Sequence, residues 1–167
     1  SVIGAGHGGG SVVALLRQYG FGGPVTLVGD EPAAPYHRPP LSKAWLKGTA
    51  SAQSLALKPA DFYASQNITL RLGHAAEASD RDVRRVALAD GSSIDYDTLI
   101  LASGAHARPL PLAVASRPNV LTLRNMADAD RLKHALGAGK RLLIVGGGYI
   151  GLECAASARA LGAEVVV

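Results

Sequence analysis

Apolar and polar positions follow the same sequence of rhythms at both ends of this chain: a short apolar run, a glycine cluster, a helical repeat, then a second apolar run. At the start, Val2 and Ile3 read as the tail of a buried strand. Gly4, Gly6 and Gly9 follow as G-x-G-x-x-G, and Val12, Val13, Leu15 and Leu16 supply the apolar face of a helix. Residues 25–28 predict a second strand ending on Gly29-Asp30-Glu31. The segment APYHRPPLSKAWLKG then breaks the rhythm. Pro39 and Pro40 force an extended path, and Ser42 is expected to cap a short helix through Trp45 and Leu46 that stops at Gly48. Residues 59–66 predict another short helix begun by proline, and 68–72 alternate as a strand.

Residues 74–102 read as a small antiparallel excursion that returns to the main sheet. Within it, 86–89 and 93–96 flank Asp90-Gly91, a hairpin signal, and the apolar run 98–102 predicts a buried parallel strand. The proline-rich stretch 108–118 reads as a connection between domains, here divided as 1–112 and 113–167. Residues 126–136 predict an amphipathic helix with Met126, Ala129, Leu132 and Leu136 on one face. The opening pattern then recurs: a strand at 142–145, the glycines Gly146, Gly148 and Gly151, a helix through Leu161 and a strand at 164–167.

Each part of the repeated unit has a physical task. The first glycine allows a tight turn, the second lets the backbone approach a pyrophosphate, and the third lets helix and strand pack closely. Free amides and the dipole at the helix start attract phosphate. Asp30 stands where an acid can bond the ribose hydroxyls of an adenine dinucleotide. The fold class is therefore α/β and Rossmann-like, with two nucleotide-binding units, the second incomplete. Two dinucleotides on one chain suggest a flavin and a nicotinamide cofactor with electron transfer between them. The acid or base that would separate NADH from NADPH is expected just past Val167, so the two stay unresolved.

Composition narrows the class. The chain has 167 residues, 48% of them hydrophobic, and no apolar run of membrane-spanning length. It lacks an initiating Met and opens inside a strand, so a piece of a longer protein is expected. Its net charge is +4; Arg81, Arg84 and Arg85 cluster where a hairpin is expected, without interleaved aromatics, which reads as a solvated surface and not a nucleic-acid site. Cys154 is the only cysteine, so this chain can form no internal disulfide, and a reducing cytoplasm is expected. His37, His74, His106 and His134 show no metal-ligand spacing, and no metal is expected. Cys154 reads as a packed small side chain.

The order G-x-G-x-x-G, GDE, PYHRPPLSK, DTLILASG, LRNMADADRL and IVGGGYIGLE resembles the ferredoxin-reductase family of FAD enzymes, which includes the reductases of putidaredoxin, rubredoxin and aromatic-ring dioxygenases. The likeness spans essentially the whole chain but only the N-terminal portion of such a protein. It implies a three-layer FAD-binding domain and the start of an NAD(P)-binding domain. Electrons would pass from NAD(P)H, with NADH favoured, through FAD to a small acidic ferredoxin or rubredoxin serving an oxygenase.

Carried over by residue, the resemblance implies that Gly4, Gly6, His7, Gly8 and Gly9 meet the FAD pyrophosphate and that Asp30 and Glu31 meet its ribose. Arg38 and Lys43 would reach FAD from the proline-rich segment, Ala76 would contact the adenine end, and Ala102, Ser103 and Gly104 would close the site. The family usually has A-T-G at this last place, and serine keeps the hydroxyl. Arg124 would also contact FAD, while Gly146, Gly148, Tyr149, Ile150 and Gly151 form the nicotinamide-side turn. Lys43 and Glu153 would be the catalytic pair: the ammonium stabilises negative charge on a reduced flavin, and the carboxylate holds it. Plainer readings stand beside these. Lys43 could be a surface lysine, Glu153 could favour its helix N-terminus, Arg38 and Arg124 could be solvated, His7 could point to solvent, and Tyr149 could gate or only pack. Two other functions stay open: a redox-sensing NADH-binding flavoprotein of the apoptosis-inducing-factor kind, or an NADH oxidase or peroxidase, which the missing cysteine near 38–50 disfavours.

Overall fold

The structure is a computed structural model that describes residues 1–110 and 116–167. The boundary expected at 112–113 and part of the proline-rich connection lie outside the described residues. The chain divides into two compact units, Ser1–His37 with Ala56–Ala105, and Arg38–Leu55 with His106–Val167. Segment 38–55 therefore groups with the second unit.

In chain order the elements are β1 (Val2–Ile3), α1 (His7–Gln18), β2 (Val25–Gly29), a 3₁₀ turn (Pro39–Ser42), α2 (Ala52–Leu55), α3 (Phe62–Ser65), β3 (Ile68–Leu72), β4 (Ala76–Asp80), β5 (Arg85–Leu88), β6 (Ser93–Asp95) and β7 (Ile100–Leu101). Then follow α4 (Met126–Ala135), β8 (Arg141–Leu143), α5 (Tyr149–Ala160) and β9 (Glu164–Val166).

The first unit has three layers, and the strand pleat creates them. Its central sheet runs β3-β2-β1-β7, all parallel. Alternate residues of a strand face opposite sides. Val2, Val25 and Leu27 pack with Val13 of α1 and Tyr63 of α3 on one side. Ile3 and Val28 pack on the other with Val86, Leu88 and Ile94 of an antiparallel sheet ordered β4-β5-β6. The Asp90-Gly91 hairpin forms as expected, with Gly91 at φ 80°.

Three expectations need correction. Leu15 is 43% exposed, because α1 buries a narrower stripe centred on Val13. The apolar run 98–102 yields only the two-residue β7, and Leu101 is 71% exposed: β7 is the edge strand, so one flank has no neighbour to cover it. The helix expected over 59–66 is regular only from Phe62 to Ser65.

In the second unit β8 and β9 pair in parallel around α5, with Arg141 opposite Glu164. Leu46, Leu132 and Cys154 form the core, joined by Leu121, Leu123, Leu136, Leu142 and Ile144. Ala129 and Leu132 are buried on α4 as the periodicity predicts. The short helix expected to start at Ser42 starts instead at Pro39 and ends at Ser42. Proline occupies its first positions, where a missing amide costs nothing, and this places Ser42 at the end of the turn. No helix among the described residues is long and apolar enough to cross a membrane.

Candidate functional site

In the first unit the glycine turn lies at the C-terminal ends of the parallel strands, the position where open α/β sheets bind ligands. Gly4 leaves β1 at φ 108° and donates its amide to the Val28 carbonyl at 2.8 Å. A side chain there would strike the Ala102 carbonyl, and one at Gly9 would strike the Gly4 carbonyl. Gly6 caps α1 with extended backbone and without any side-chain hydrogen bond. The first main-chain helical bond runs from the Gly10 amide to the Gly6 carbonyl at 2.9 Å. The amides of His7, Gly8 and Gly9 thus lack a partner four residues back. This set of main-chain donors with no obstructing side chain suits a diphosphate.

Neighbouring strand ends supply the rest. Ala102, Ser103 and Gly104 follow β7; the Ala102 amide bonds the Ile3 carbonyl at 2.7 Å, and Gly104 turns at φ 72°. Asp30 and Glu31 follow β2. Asp30 Oδ1 accepts the Glu31 amide at 3.0 Å, and the Tyr36 hydroxyl donates to Glu31 Oε2 at 2.5 Å. Tyr36 thereby fixes an acid that sequence reasoning identified without its holder. Ala76 opens β4 against the Val28–Val86–Leu88 cluster. His7 is exposed, its ring 5.4 Å from that of His37.

The second unit holds the basic site residues Arg38, Lys43 and Arg124 together with Glu153. Gly146 turns at φ 117°, close to its counterpart Gly4, and Gly148 caps α5 in extended backbone, again without a side chain. A side chain at Gly151 would strike the Gly146 carbonyl, so the third glycine has the same task in both copies. Tyr149 is 90% exposed and Ile150 is exposed beside it. Lys43 Nζ lies 2.7 Å from Glu153 Oε2 and donates to the Pro39 carbonyl at 3.1 Å. Ser42 Oγ donates to the same Glu153 oxygen at 2.5 Å. These bonds, Lys43 first and Ser42 second, hold the Glu153 carboxyl below the usual range. Glu153 sits in the second turn of α5, which has no acid in its first turn, so the helix end does not explain it. Arg38 donates to the Arg124 carbonyl at 2.6 Å. The Arg124 amide bonds Asp128 Oδ2 at 2.9 Å, next to the Asn125–Asp128 capping box that starts α4. A pocket of about 280 Å³ is lined by Arg38, Lys43, Arg124, Ile150 and Glu153, with Leu41 and Leu123. Cys154 is buried, and burial followed by the adjoining Glu153 charge pushes its thiol up.

The whole chain, residues 1–167, matches the pyridine nucleotide-disulphide oxidoreductase family. It is 46% identical over 166 residues to rhodocoxin reductase of Rhodococcus erythropolis, covering 99% of this chain and 39% of that protein. It also resembles the reductase in the crystal structure of the covalent putidaredoxin reductase–putidaredoxin complex, with 45% identity, a TM-score of 0.88, and coverage of 98% of this chain and 40% of that one. The ferredoxin reductase for the CYP199A2 system of Rhodopseudomonas palustris gives 42% identity and a TM-score of 0.92, with 98% of this chain and 41% of that chain covered. The chain thus spans about two-fifths of the length of these relatives, from 39% to 41%.

Proposed function

Because the chain belongs to the pyridine nucleotide-disulphide oxidoreductase family, we propose that it forms the FAD-binding part and the opening of the nicotinamide-binding part of a reductase. The acceptor we infer is a small acidic ferredoxin or rubredoxin-type iron–sulfur protein that supplies an oxygenase. Bound FAD would supply the redox chemistry, taking a hydride from NADH or NADPH and releasing electrons singly. The chain's own residues bind, orient and charge the site. The amides of the first glycine turn and α1 hold the pyrophosphate; Asp30 and Tyr36-held Glu31 take the ribose hydroxyls. Arg38, Arg124, Ala76, Ala102, Ser103 and Gly104 complete the flavin contacts. Gly146, Gly148, Tyr149, Ile150 and Gly151 receive the nicotinamide cofactor.

The observation that carries this reading is the 2.7 Å pair between Lys43 and Glu153 in a pocket it shares with Arg38 and Arg124. An ammonium held by a carboxylate favours the negative charge that a reduced flavin gains, and hydride transfer asks for little more than position and field. The single cysteine is buried in the second unit's core, which disfavours peroxidase chemistry within this chain. A reducing cytoplasm is the compartment we propose. The test is Lys43→Met in the full-length protein, followed by stopped-flow reduction with NADH and reoxidation by ferredoxin or peroxide. Reduction should slow while FAD content and fold hold. An unchanged rate would remove Lys43 from the chemistry, and faster reoxidation by peroxide than by ferredoxin would overturn the proposed acceptor.

A further inference from the structure

We propose that Ser42 is a positioning residue that, clamped by Ser157, keeps Glu153 ionised and turned toward Lys43; this rests on the roles given above to Lys43 and Glu153. Ser42 is buried at the end of the Pro39–Ser42 turn, where a hydroxyl needs a partner. Its Oγ donates a hydrogen bond to Glu153 Oε2 at 2.5 Å, the oxygen that also receives Lys43 Nζ at 2.7 Å. Its carbonyl accepts Ser157 Oγ at 2.7 Å in a buried bond. Glu153 and Ser157 are four residues apart on α5 and so share a face, one turn above the other. The helix grips Ser42 at its side chain and its main chain together, which fixes the rotation of the turn and of the next residue, Lys43. Two of the three Lys43 N–H donors go to Glu153 and the Pro39 carbonyl, so the direction of the third is set.

The clamp also acts on charge. A donor to a carboxylate favours its ionised form. Lys43 and Arg38 from the turn and its flank and Arg124 from the segment before α4 line the pocket with Glu153, and the core thiol of Cys154 adjoins it in sequence on α5. Ser42 is an uncharged donor to Glu153, so its removal changes a bond without changing net charge.

The experiment uses full-length protein loaded with FAD, as parent, Ser42→Ala, Ser42→Thr and Ser157→Ala. The Glu153 carboxylate is followed by ¹³C NMR with labelled glutamate, assigned with Glu153→Gln, and NADH-driven flavin reduction is measured across the acid pH range. Ser42→Ala should move the Glu153 titration to higher pH, Ser42→Thr should restore it, and Ser157→Ala should move it the same way by less. FAD content should stay at the parent level throughout. A Ser42→Ala titration that overlays the parent overturns the proposal, as does failure of the threonine to restore it. The acid limb of flavin reduction should move with the carboxylate. A moved titration with an unmoved limb keeps the clamp and removes the flavin role assigned to Lys43 and Glu153.

Discussion

Two glycines of the first turn should respond oppositely to the same added methyl group. Gly8 and Gly10 both lie in α1, where alanine is favoured over glycine by about 1 kcal/mol in a helix interior and by less in the first turn. At Gly8 the new Cβ would sit 3.9 Å from Ala102 Cβ, an ordinary contact. At Gly10 it would sit 2.6 Å from Pro35 Cβ and 2.8 Å from Leu57 Cδ2. Apolar carbons rest about 3.5–4.0 Å apart, so the overlap is roughly 1 Å, against a proline ring that cannot rotate away. Overpacking of this kind costs about 1–3 kcal/mol, which outweighs the propensity gain. Gly10→Ala should therefore lose about 1–2 kcal/mol while Gly8→Ala gains up to a few tenths. With melting temperature moving about 2–4 °C per kcal/mol at this size, the apoproteins should melt roughly 2–9 °C apart. FAD affinity separates them the other way: Gly8→Ala puts a methyl group on the phosphate-facing turn and should bind FAD more weakly despite its stable fold. Differential scanning calorimetry and flavin titration decide it. Equal melting temperatures, or a Gly8→Ala protein that binds FAD as the parent does, would refute the packing argument or the phosphate assignment respectively.

Tyr63 is buried with a hydroxyl that has no hydrogen-bond partner among the described residues, so Tyr63→Phe should stabilise the first unit by about 1 kcal/mol in urea titrations, and a loss of stability would reveal a partner for the hydroxyl. Acid should weaken the fold. Glu153 is depressed by Lys43 and Ser42, Asp95 by Arg85, and Asp90 by its bonds to Ser92. A carboxylate whose folded value lies below its unfolded one stabilises above the unfolded value and loses that contribution as pH falls through the folded one. The urea midpoint should then drop as pH falls from about 4 downward, less steeply in Glu153→Gln/Asp90→Asn/Asp95→Asn protein and less in high salt. A midpoint flat across that range would contradict the assignment. Cys154, buried and with its thiol pushed up, should resist iodoacetamide in native protein and react on unfolding; rapid native alkylation would show the core to be open.

What the sequence revealed and what it concealed divides along physical range. Both glycine turns were legible because their tasks are local: Gly4 and Gly146 take the expected positive φ, and Gly9 and Gly151 abut the first glycine of their own turns. The Lys43–Glu153 pair joins residues far apart in sequence, and only the family resemblance anticipated it. Its accessory bonds had no local signal at all. Ser42 looked like a helix start because serine and proline both mark helix N-termini; the structure assigns that start to Pro39 and turns Ser42 toward Glu153. Ser157 on α5 and Tyr36 beside Glu31 were equally silent, since a polar residue on an element's face does not announce which distant group it meets. Leu101 misled for a related reason: an apolar strand reads the same at a sheet's centre and at its edge.

The proposals above depend most on the assignment of one adenine dinucleotide, a flavin or a nicotinamide, to each glycine turn. Its most direct measurement is the absorbance spectrum of the full-length protein, taken before and after anaerobic NADH or NADPH. A yellow protein is expected, one that releases an equimolar amount of FAD on denaturation and is bleached by the nicotinamide cofactor. A colourless protein that cannot be reconstituted with FAD, or a bound flavin that neither cofactor bleaches, would contradict it.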